Sequence, residues 1–282
     1  MFRVGFLGTA VQIAPWRKAL QILPDVEEGP VFRVDDLQPD PHLLDAFFDE
    51  VDIVAVAGKP GVRSLLIQEA LKRGKGVFTR WPPALSLLEW NRLVQLAEEA
   101  DIDPIISQPL RFHPRLEGWN KQARLLIHHW DMPDREGPFP WMAILGMTLD
   151  LYLYLTGGRY LRSFDVTVYR RHQAIPDALA MNLRFQNGAY VQGFLRRSSA
   201  GEKHTLVIDG PEHLETWQLT PCVNEAEGFS YEEGTLMLPA LAVREFAHYL
   251  ECWSRGQESG ILCREGLPLM RMLEQLMAKI RW

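Results

Sequence analysis

Residues suited to nucleotide chemistry follow several short apolar runs of this sequence. The first run, at residues 3–8, ends in Gly8, and Thr9 and Ala10 then lead into a helix-like segment. A glycine at such a strand-to-helix turn lets a phosphate approach the free N–H groups of the helix N-terminus. Residues 8–13 read Gly-Thr-Ala-Val-Gln-Ile, so only Gly8 matches the pattern G-x-G-x-x-G. We therefore expect a dinucleotide turn whose phosphate binding is weakened.

Two further polar positions follow the next apolar runs. Asp35 ends the second run, where a carboxylate would accept a hydrogen bond from a ribose 2′-hydroxyl and favour NAD over NADP. Asp36 could take that role instead, and a solvated turn aspartate is the alternative for both. Gly58 and Lys59 follow the third run. Lys59 would meet a phosphate or carboxylate there, or it is a solvent-facing loop lysine.

Arginines add positive charge near the same predicted sheet edge. Arg80 and Trp81 directly follow the fourth run, at residues 76–79, and Arg63 and Arg111 lie near the ends of neighbouring elements. This charge predicts a small-molecule ligand that carries a carboxylate or phosphate. Arg111 either orients an anionic substrate or holds the joint between two domains.

The apolar runs alternate with helix-like segments over the first hundred residues. Nearly continuous apolar residues predict strands buried on both faces, as in a parallel sheet. The predicted strands are 3–8, 31–35, 52–57, 76–80 and 104–107, and the predicted helices are 41–48, 62–72 and 87–100. Ser86 and Glu89 have the spacing of a capping box. The pattern predicts an α/β fold with an N-terminal Rossmann-like, doubly wound parallel sheet over residues 1–114.

The pattern of residues 115–282 predicts an α+β domain with an open, mainly antiparallel sheet. We expect this domain to serve in substrate binding or oligomerisation. The predicted strands are 125–130, 163–169, 179–185, 189–196, 204–209 and 214–219. Helices are predicted at 117–124, 142–155, 241–253 and 267–280, and the last could pack back on the first domain. Asn187-Gly188 predicts a hairpin with a type I′ turn, because both residues accept positive φ.

The segment 74–86, Gly-Lys-Gly-Val-Phe-Thr-Arg-Trp-Pro-Pro-Ala-Leu-Ser, resembles a stretch of the glucose–fructose oxidoreductase / inositol dehydrogenase (Gfo/Idh/MocA) family. Segments 110–114, 149–158, 177–189 and 206–210 resemble the same family in order and spacing, so the resemblance covers most of the chain. It implies a two-domain oxidoreductase that uses NAD or NADP. In the family the tripeptide at 80–82 normally reads Glu-Lys-Pro, with its Lys beside the nicotinamide. Here Arg80 stands in the Glu position and Trp81 in the Lys position.

A second family motif is altered in the same way. It resembles D-x-G-x-H-x-x-D, and alignment on Asp150 puts Met147 at the His position and Ala143 at the first Asp position. Trp, Met and Ala cannot exchange protons near neutral pH, so the usual alcohol-oxidising mechanism is not available from these positions. Two readings stay open. One is an active oxidoreductase with relocated groups, in which Trp81 stacks on the nicotinamide or on a planar substrate. The other is an inactive pseudo-oxidoreductase that binds a ligand or acts in assembly.

Candidate replacement groups lie in the middle of the chain. His113 follows the fifth predicted strand, whereas His128 and His129 are consecutive on a strand and must point to opposite faces. Asp131 could pair with His129. We take His113, His129 and Asp150 as the candidate catalytic residues, and a structural or surface role is the alternative for each.

Composition limits the remaining function classes. The formal charge of −6 and the pI of about 5.8 argue against a nucleic-acid surface. No apolar stretch approaches the ~20 residues that cross a bilayer, and the N-terminus lacks a signal-peptide pattern. Cys222, Cys252 and Cys263 form no CxxC pair, so we expect reduced thiols, no metal and a cytoplasmic protein. Because sheets of relatives often pair across dimers, we also expect a homodimer or higher homo-oligomer.

Overall fold

The structure is a computed structural model that describes residues 1–34, 41–116, 119, 122–133, 141–170, 176–199, 202–210, 214–219, 237–257 and 261–280. The chain forms two compact units. The first contains Met1–Phe112 and Pro239–Met270, and the second contains His113–Leu238 and Arg271–Trp282. The helices α6 and α7, defined below, therefore each contribute residues to both units.

Strands and helices alternate in the first half of the chain, and strands predominate in the second. The strands are β1 (Phe2–Leu7), β2 (Val26–Phe32), β3 (Ile53–Val56), β4 (Gly76–Thr79), β5 (Ile105–Ile106), β6 (Leu125–Pro133), β7 (Leu161–Tyr169), β8 (Ala178–Phe185), β9 (Tyr190–Ser198), β10 (Lys203–Asp209), β11 (Leu214–Gln218) and β12 (Ile261–Leu262). The helices are α1 (Ala10–Leu20), α2 (Pro41–Asp49), α3 (Pro60–Lys72), α4 (Leu87–Ala100), α5 (Trp141–Thr156), α6 (Met237–Ser254) and α7 (Leu267–Ile280).

The first unit is built on a six-stranded sheet in the order β12-β5-β4-β3-β1-β2. Neighbours from β5 to β2 are parallel, and β12 adds an antiparallel edge strand. Every residue of β3 and β4 is buried, as expected for strands covered by helices on both faces. The predicted Rossmann-like parallel sheet is confirmed.

The bounds predicted for the second strand, 31–35, are wrong. β2 runs from Val26 to Phe32, and its pairing with β1 shifts register around Gly29 and Pro30. A Cβ at Gly29 would lie 3.0 Å from the Val4 carbonyl oxygen. Gly and Pro are tolerated there because β2 is an edge strand with a bulge.

The second unit contains a mixed sheet in the order β11-β10-β6-β9-β8-β7. All neighbours are antiparallel except β6 and β9, so the prediction of a mainly antiparallel sheet is confirmed. Alternate residues of β6, β8, β9 and β10 are buried. Tyr152 of α5 contacts His128 and approaches Gly193, so α5 covers the face that holds these buried residues.

The hairpin between β8 and β9 is present, but its predicted type I′ turn is wrong. Gly188 has a φ of +90°, whereas Asn187 is absent from the described residues with positive φ. Phe185 N–H donates to the Ala189 carbonyl at 2.9 Å, which leaves a three-residue loop rather than a two-residue one. Such a loop needs only one left-handed residue. The Asn187 amide instead donates to the carbonyl of Thr156 at 2.9 Å and anchors the turn on the end of α5.

Most predicted helices agree with the structure within a few residues. α4 begins after Ser86, whose hydroxyl accepts the Glu89 N–H at 3.2 Å, while Glu89 accepts the N–H of Leu85 at 2.9 Å. The helix predicted at 117–124 is wrong at its end, because residues 122–124 are not helical. Of residues 117–121, the structure describes only Trp119, which lies outside any helix. Among the residues described, none of the helices is long and apolar enough to cross a membrane.

Candidate functional site

The carboxyl ends of the parallel strands bring the predicted cofactor residues of the first unit to one edge. The strand order reverses between β1 and β3, whose chain continuations lead to α1 and α3. Ligands of open α/β sheets bind at such a reversal, outside the carboxyl ends of the strands. Gly8 to Ala10 follow β1 and Gly58 to Pro60 follow β3. Asp35 lies outside the described residues.

Gly8 is required by a close approach between the loops after β1 and β3. Its φ is +157°, and a Cβ there would lie 3.0 Å from the Cβ of Ala57. Its N–H donates to the Phe32 carbonyl at 3.1 Å. The turn after β1 therefore keeps the first glycine of the dinucleotide pattern for a packing reason that the structure shows directly.

Gln12 occupies part of the space in front of this turn. Its side-chain oxygen accepts the Thr9 N–H at 3.1 Å and would lie 3.4 Å from a Cβ at Gly8. Thr9 and Gln12 have the spacing of a capping box, so the sequence carried a signal for this contact that the glycine comparison ignored. Ala10 and Val11, in the first turn of α1, are exposed. The N-terminus of α1 thus keeps an accessible side while one of its N–H groups is already bonded.

Arg63, in the first turn of α3, joins the loops after β3 and β4. It is 5% exposed, and its guanidinium donates to the carbonyls of Gly58 (2.7 and 3.1 Å) and Arg80 (3.0 Å) and to that of Pro82. Burial, and secondarily the positive charge of Arg80, lower the pKa of Arg63 to about 9. Arg63 is therefore a buried anchor of the loops, whereas Lys59 beside it is exposed.

Arg80 and Trp81 are both packed into the first unit. The Arg80 guanidinium donates to the Gln12 carbonyl and lies 5.2 Å from the centre of the Trp16 ring. Burial lowers the pKa of Arg80, and the negative charge of Glu245 opposes this shift. Trp81 is 5% exposed, and its ring centre is 5.0 Å from that of Trp90. The residue that stands in the family's Lys position is a packed aromatic side chain.

Glu245 of α6 completes the polar contacts at this edge, and sequence reasoning missed it. It is 3% exposed and accepts hydrogen bonds from the Ser107 hydroxyl at 2.5 Å and from the Gln108 N–H. A buried carboxylate needs such donors to remain ionised. No local pattern could have indicated it, because Glu245 and Ser107 are 138 residues apart.

In the second unit, α5 carries the altered family motif. Ala143, Met147 and Asp150 recur at helical spacing and share one face of α5. Asp150 is 2% exposed, and Ala143 and Met147 are half-buried. His113 is also 2% exposed, and its Nδ1 accepts the Arg115 N–H at 3.2 Å. That bond leaves the proton of a neutral His113 on Nε2.

His128 and His129 point to opposite faces of β6, as predicted. His129 lies on the face away from α5, with Nε2 2.9 Å from Asp131. Arg196 binds Asp131 through two hydrogen bonds of 2.7 and 2.9 Å. Burial disfavours the ionised Asp131, but the bonds from Arg196 and His129 outweigh it and lower the Asp131 pKa. The sheet separates His129 from Asp150, so these two candidates cannot act on one substrate atom within this unit.

His128 faces α5 and is 1% exposed. Its Nδ1 lies 2.6 Å from the Tyr152 hydroxyl, and its Nε2 lies 2.6 Å from Nε2 of His204. Burial, with a smaller effect of His129, lowers the pKa of His128 to about 3. Burial also lowers the pKa of His204, and the charges that His128 and His113 would carry add to this shift. Both rings are therefore neutral over the physiological pH range.

The structure brings no metal-binding group together in the part of the chain that it describes. Over those residues, no three His, Cys, Asp or Glu side chains are arranged to hold a metal ion. Arg63, Arg80, Glu245, Asp131 and the histidines named above are instead bonded to backbone groups, to each other or to other side chains.

Comparison with solved structures places the fold among dehydrogenases. UDP-N-acetylglucosamine 3-dehydrogenase from Acidithiobacillus ferrooxidans is similar over 99% of this chain and 97% of that chain, with a TM-score of 0.80 and 15% identity. Scyllo-inositol dehydrogenase from Lactobacillus casei, solved with NAD(H) and scyllo-inositol, is similar over 99% and 96%, with a TM-score of 0.77 and 14% identity.

A third similar structure is an oxidoreductase from Agrobacterium radiobacter in complex with NAD+, L-tartaric acid and magnesium. It covers 99% of this chain and 96% of that chain, with a TM-score of 0.71 and 14% identity. No protein-family model matches the sequence, and no curated protein matches it either. The chain therefore has the fold of these dehydrogenases, which is the fold that its resemblance to the Gfo/Idh/MocA family implied.

Replacing Arg63 by Met should destabilise the first unit. Three buried carbonyl groups would lose their charged donor, so we expect the free energy of unfolding to fall by about 3 kcal/mol. Arg63→Lys should recover only part of this loss, because an ammonium group cannot reproduce the planar set of donors. Urea unfolding measures both changes.

Arg17→Met is the matched control for Arg63→Met. Arg17 pairs with Glu28 at the surface, where such a pair contributes about 0–1 kcal/mol. Equal losses of stability in the two Met variants would contradict the anchoring role of Arg63.

Lowering the pH should destabilise the second unit through His128 and His204. Their folded pKa values lie below the unfolded value of about 6.5, so the unfolded chain binds protons that the folded chain does not. The free energy of unfolding is therefore highest above about pH 6.5. As the pH falls below that value, the free energy of unfolding falls by about 1.4 kcal/mol per pH unit for each histidine. Urea unfolding as a function of pH measures this slope.

His128→Gln should flatten the slope between about pH 6.5 and pH 4.5, where carboxylates contribute least. His129→Gln is the control, because His129 is on the same strand but its side chain is 45% exposed. If both variants kept the wild-type slope, burial of neutral His128 would not be the cause.

Proposed function

We propose that this chain is an NAD- or NADP-dependent oxidoreductase of Gfo/Idh/MocA type with a non-standard active site. The observation that carries the proposal is the turn from β1 through Gly8 into α1, at the reversal of strand order. Dehydrogenases of the same fold, solved with NAD(H) or NAD+, support a dinucleotide as the ligand. A bound nicotinamide would supply the hydride acceptor or donor of the reaction.

The first unit has a surface that fits the pyrophosphate of a dinucleotide. Gly8 has no Cβ, and the exposed residues Ala10 and Val11 present the N-terminus of α1, which favours an anion. We propose that Gly8, Thr9 and Ala10 bind the pyrophosphate and that Asp35 accepts a hydrogen bond from the ribose, which favours NAD slightly. The Thr9 N–H would have to leave Gln12 to bind a phosphate.

Other residues of that edge would position the ligand rather than react with it. We propose that Gly58 and exposed Lys59 lie beside the phosphates, and that Arg80 supplies fixed positive charge. Trp81, held by Trp90, would offer at most the edge of its ring to the nicotinamide, since only 5% of the residue is exposed. A small, anionic substrate agrees with the positive charge that Arg80 carries.

Proton transfer must use groups other than the Lys and the His of the family patterns, because Trp81 and Met147 stand in those two positions. We propose His113 and Asp150 for this role, since His113 can donate from Nε2 and both lie in the second unit. His129 stays a candidate for proton exchange with a substrate bound on the opposite face of the sheet. Transfer of hydride to a polarised double bond, which is thereby reduced, would make the smallest demand on these groups, because binding and orientation are then the main contribution of the protein.

An inactive, ligand-binding or assembly protein is the second candidate function. The bond from Thr9 to Gln12 favours it, because the chain itself satisfies an N–H group that a phosphate would need. The packing of Trp81 favours it as well, because the family's proton-exchanging Lys is replaced by a buried ring.

Titration with NADH and NADPH tests the dinucleotide proposal. Saturable energy transfer from tryptophan, with matching heat in calorimetry, is the expected result. Ala10→Asp should weaken binding about tenfold or more, because it places a negative charge beside the anion site. The same variant should fold normally, since Ala10 is exposed and an acidic residue suits the first turn of a helix.

Leu43→Asp is the control, since it puts the same charge in the first turn of α2 at a residue that is 56% exposed. Equal affinities of wild type, Ala10→Asp and Leu43→Asp would exclude the turn after β1 as the binding site. Absence of binding of either nucleotide in both measurements would favour the second candidate function.

We also propose that the chain forms a homodimer, in the cytoplasm, through the face of the second sheet away from α5. That face bears Ile127, which is 41% exposed, and the Phe194 ring, which packs against His129 and Tyr169. Sedimentation at micromolar concentration should give twice the mass of the chain. Ile127→Arg should give a monomer, whereas Leu65→Arg in the first unit should not. A monomeric wild type would overturn the proposal.

A further inference from the structure

Tyr152, His128 and His204 form a continuous chain of short hydrogen bonds inside the second unit. The Tyr152 hydroxyl lies 2.6 Å from Nδ1 of His128, and Nε2 of His128 lies 2.6 Å from Nε2 of His204. The three residues are 0%, 1% and 0% exposed. They come from α5, β6 and β10, so the chain crosses from the helix to the sheet and then along the sheet.

The packing around the chain holds its members in place. The His204 ring stacks on Trp130 with a centre distance of 4.7 Å and an angle of 8°. A Cβ at Gly193 would lie 2.5 Å from the Tyr152 hydroxyl, so only a glycine lets that hydroxyl reach His128. The ring of His128 meets that of Tyr152 edge to face at 5.4 Å. These contacts allow little change of distance, although they leave the hydrogen positions open.

Counting hydrogens shows that the chain always has one donor to spare. Tyr152 and two neutral imidazoles each carry one hydrogen, but only two hydrogen bonds connect the three groups. If Tyr152 donates to His128, then His128 donates from Nε2 to His204, and the His204 proton is on Nδ1. If His204 donates from Nε2 instead, His128 donates to Tyr152, and the Tyr152 hydrogen points out of the chain.

The hydrogen count places that spare hydrogen at one end of the chain or the other, on Nδ1 of His204 or on the Tyr152 hydroxyl. Nδ1 of His204 is buried without a hydrogen-bond partner among the described residues, and so is the hydroxyl of Thr148. Thr148 precedes Tyr152 by one helical turn on α5, so it is on the same side of that helix. A buried donor without an acceptor costs about 1–3 kcal/mol, so a water molecule is the expected acceptor at these ends.

We propose that Tyr152, His128 and His204 are a two-state proton relay that exchanges one proton between buried water at His204 and buried water at Tyr152. In one passage, His204 releases its Nδ1 proton to water, and His128 passes its Nε2 proton to Nε2 of His204. Tyr152 then passes its hydroxyl proton to Nδ1 of His128 and takes a proton from the water at its own end. One proton has crossed the chain, and all three groups are neutral before and after.

The electrostatic surroundings favour the neutral states on which the relay depends. Burial raises the pKa of Tyr152 and lowers those of both histidines. The neighbouring ionisable groups are His129, next to His128 on β6, and His113, whose charge would act on His204. A charge on either neighbour would oppose protonation of the relay, so the relay moves protons without storing charge.

The relay shares no residue with the candidate catalytic groups, although the charge of one of them, His113, would act on His204, and it does not rest on the proposed oxidoreductase activity. Ala143, Met147 and Asp150 share one face of α5, and Tyr152 lies on the face that meets the sheet. The relay also differs from a pair of histidines held by a metal, because its two Nε2 atoms are at hydrogen-bond distance.

Nitrogen-15 NMR of the histidines in the full chain tests the proposal. Two-bond couplings distinguish Nδ1–H from Nε2–H tautomers, and the nitrogen shifts report protonation. We expect both rings of the wild type to stay neutral from about pH 8 to about pH 5, where a free histidine titrates. We also expect each ring to show shifts averaged between the two tautomers.

Tyr152→Phe should remove the averaging, because the direction in which His204 donates would leave the Nδ1–H of His128 buried without an acceptor, whereas the opposite direction leaves no hydrogen on that nitrogen. His129→Gln should leave it unchanged, because His129 is on the opposite face of the sheet. A single fixed tautomer at both rings of the wild type would overturn the relay, as would titration of either ring near pH 6.5. Averaging that persists in Tyr152→Phe would also overturn it.

Discussion

The guanidinium of Arg63 is the constraint on which the carboxyl edge of the first sheet depends. Three carbonyl groups from the loops after β3 and β4 accept its hydrogen bonds. A buried positive charge is tolerated only when it is bonded in this way. The start of α3 and the two loops therefore cannot move independently, and Gly58 and Arg80 take their positions from Arg63. Lys59, one residue beyond Gly58, is left exposed.

Packing and hydrogen bonds hold the side chains of Trp81, Arg80 and Glu245 at this edge. Trp81 fills space against Trp90, and Arg80 lies over Trp16 while it bonds the backbone of Gln12. Glu245 balances the positive charge and secures the segment after β5. Among the described residues that follow β1 and β3 at this edge, the N-terminus of α1 and Lys59 are accessible. The helix N-terminus and the lysine suit the binding of an anion better than the transfer of a proton.

The second unit separates its ionisable side chains by strand geometry. Adjacent residues of β6 point to opposite faces, so His128 is buried beneath α5 while His129 is exposed beside Asp131. The low-dielectric interior keeps His128 neutral, whereas the buried carboxylate of Asp131 on the other face forms an ion pair with the exposed Arg196. One strand thus carries a neutral hydrogen-bond chain on one face and a charged cluster on the other.

Local sequence patterns determined most of the fold of this protein. Continuous apolar runs indicated the buried parallel strands, Ser86 marked the start of α4, and alternation indicated that His128 and His129 diverge. These features follow from the backbone geometry of a few neighbouring residues, so a single sequence can reveal them. Thr9 and Gln12 also had a readable capping pattern. The bounds of β2 and the type of the turn at Asn187 were predicted wrongly, because a bulge in an edge strand and an anchor on α5 decided them.

Only the tertiary structure decided how the candidate site is filled. The sequence resemblance aligned Trp81 with the Lys of the Glu-Lys-Pro tripeptide. The burial of Trp81 against Trp90, in contrast, depends on how β4 and α4 pack. The bond between Ser107 and Glu245, the pairing of β5 with β12, and the contact of His128 with His204 join residues far apart in the chain. Hydrogen bonds between such residues leave no periodic trace in the sequence, because they arise only when folding brings distant segments within about 3 Å.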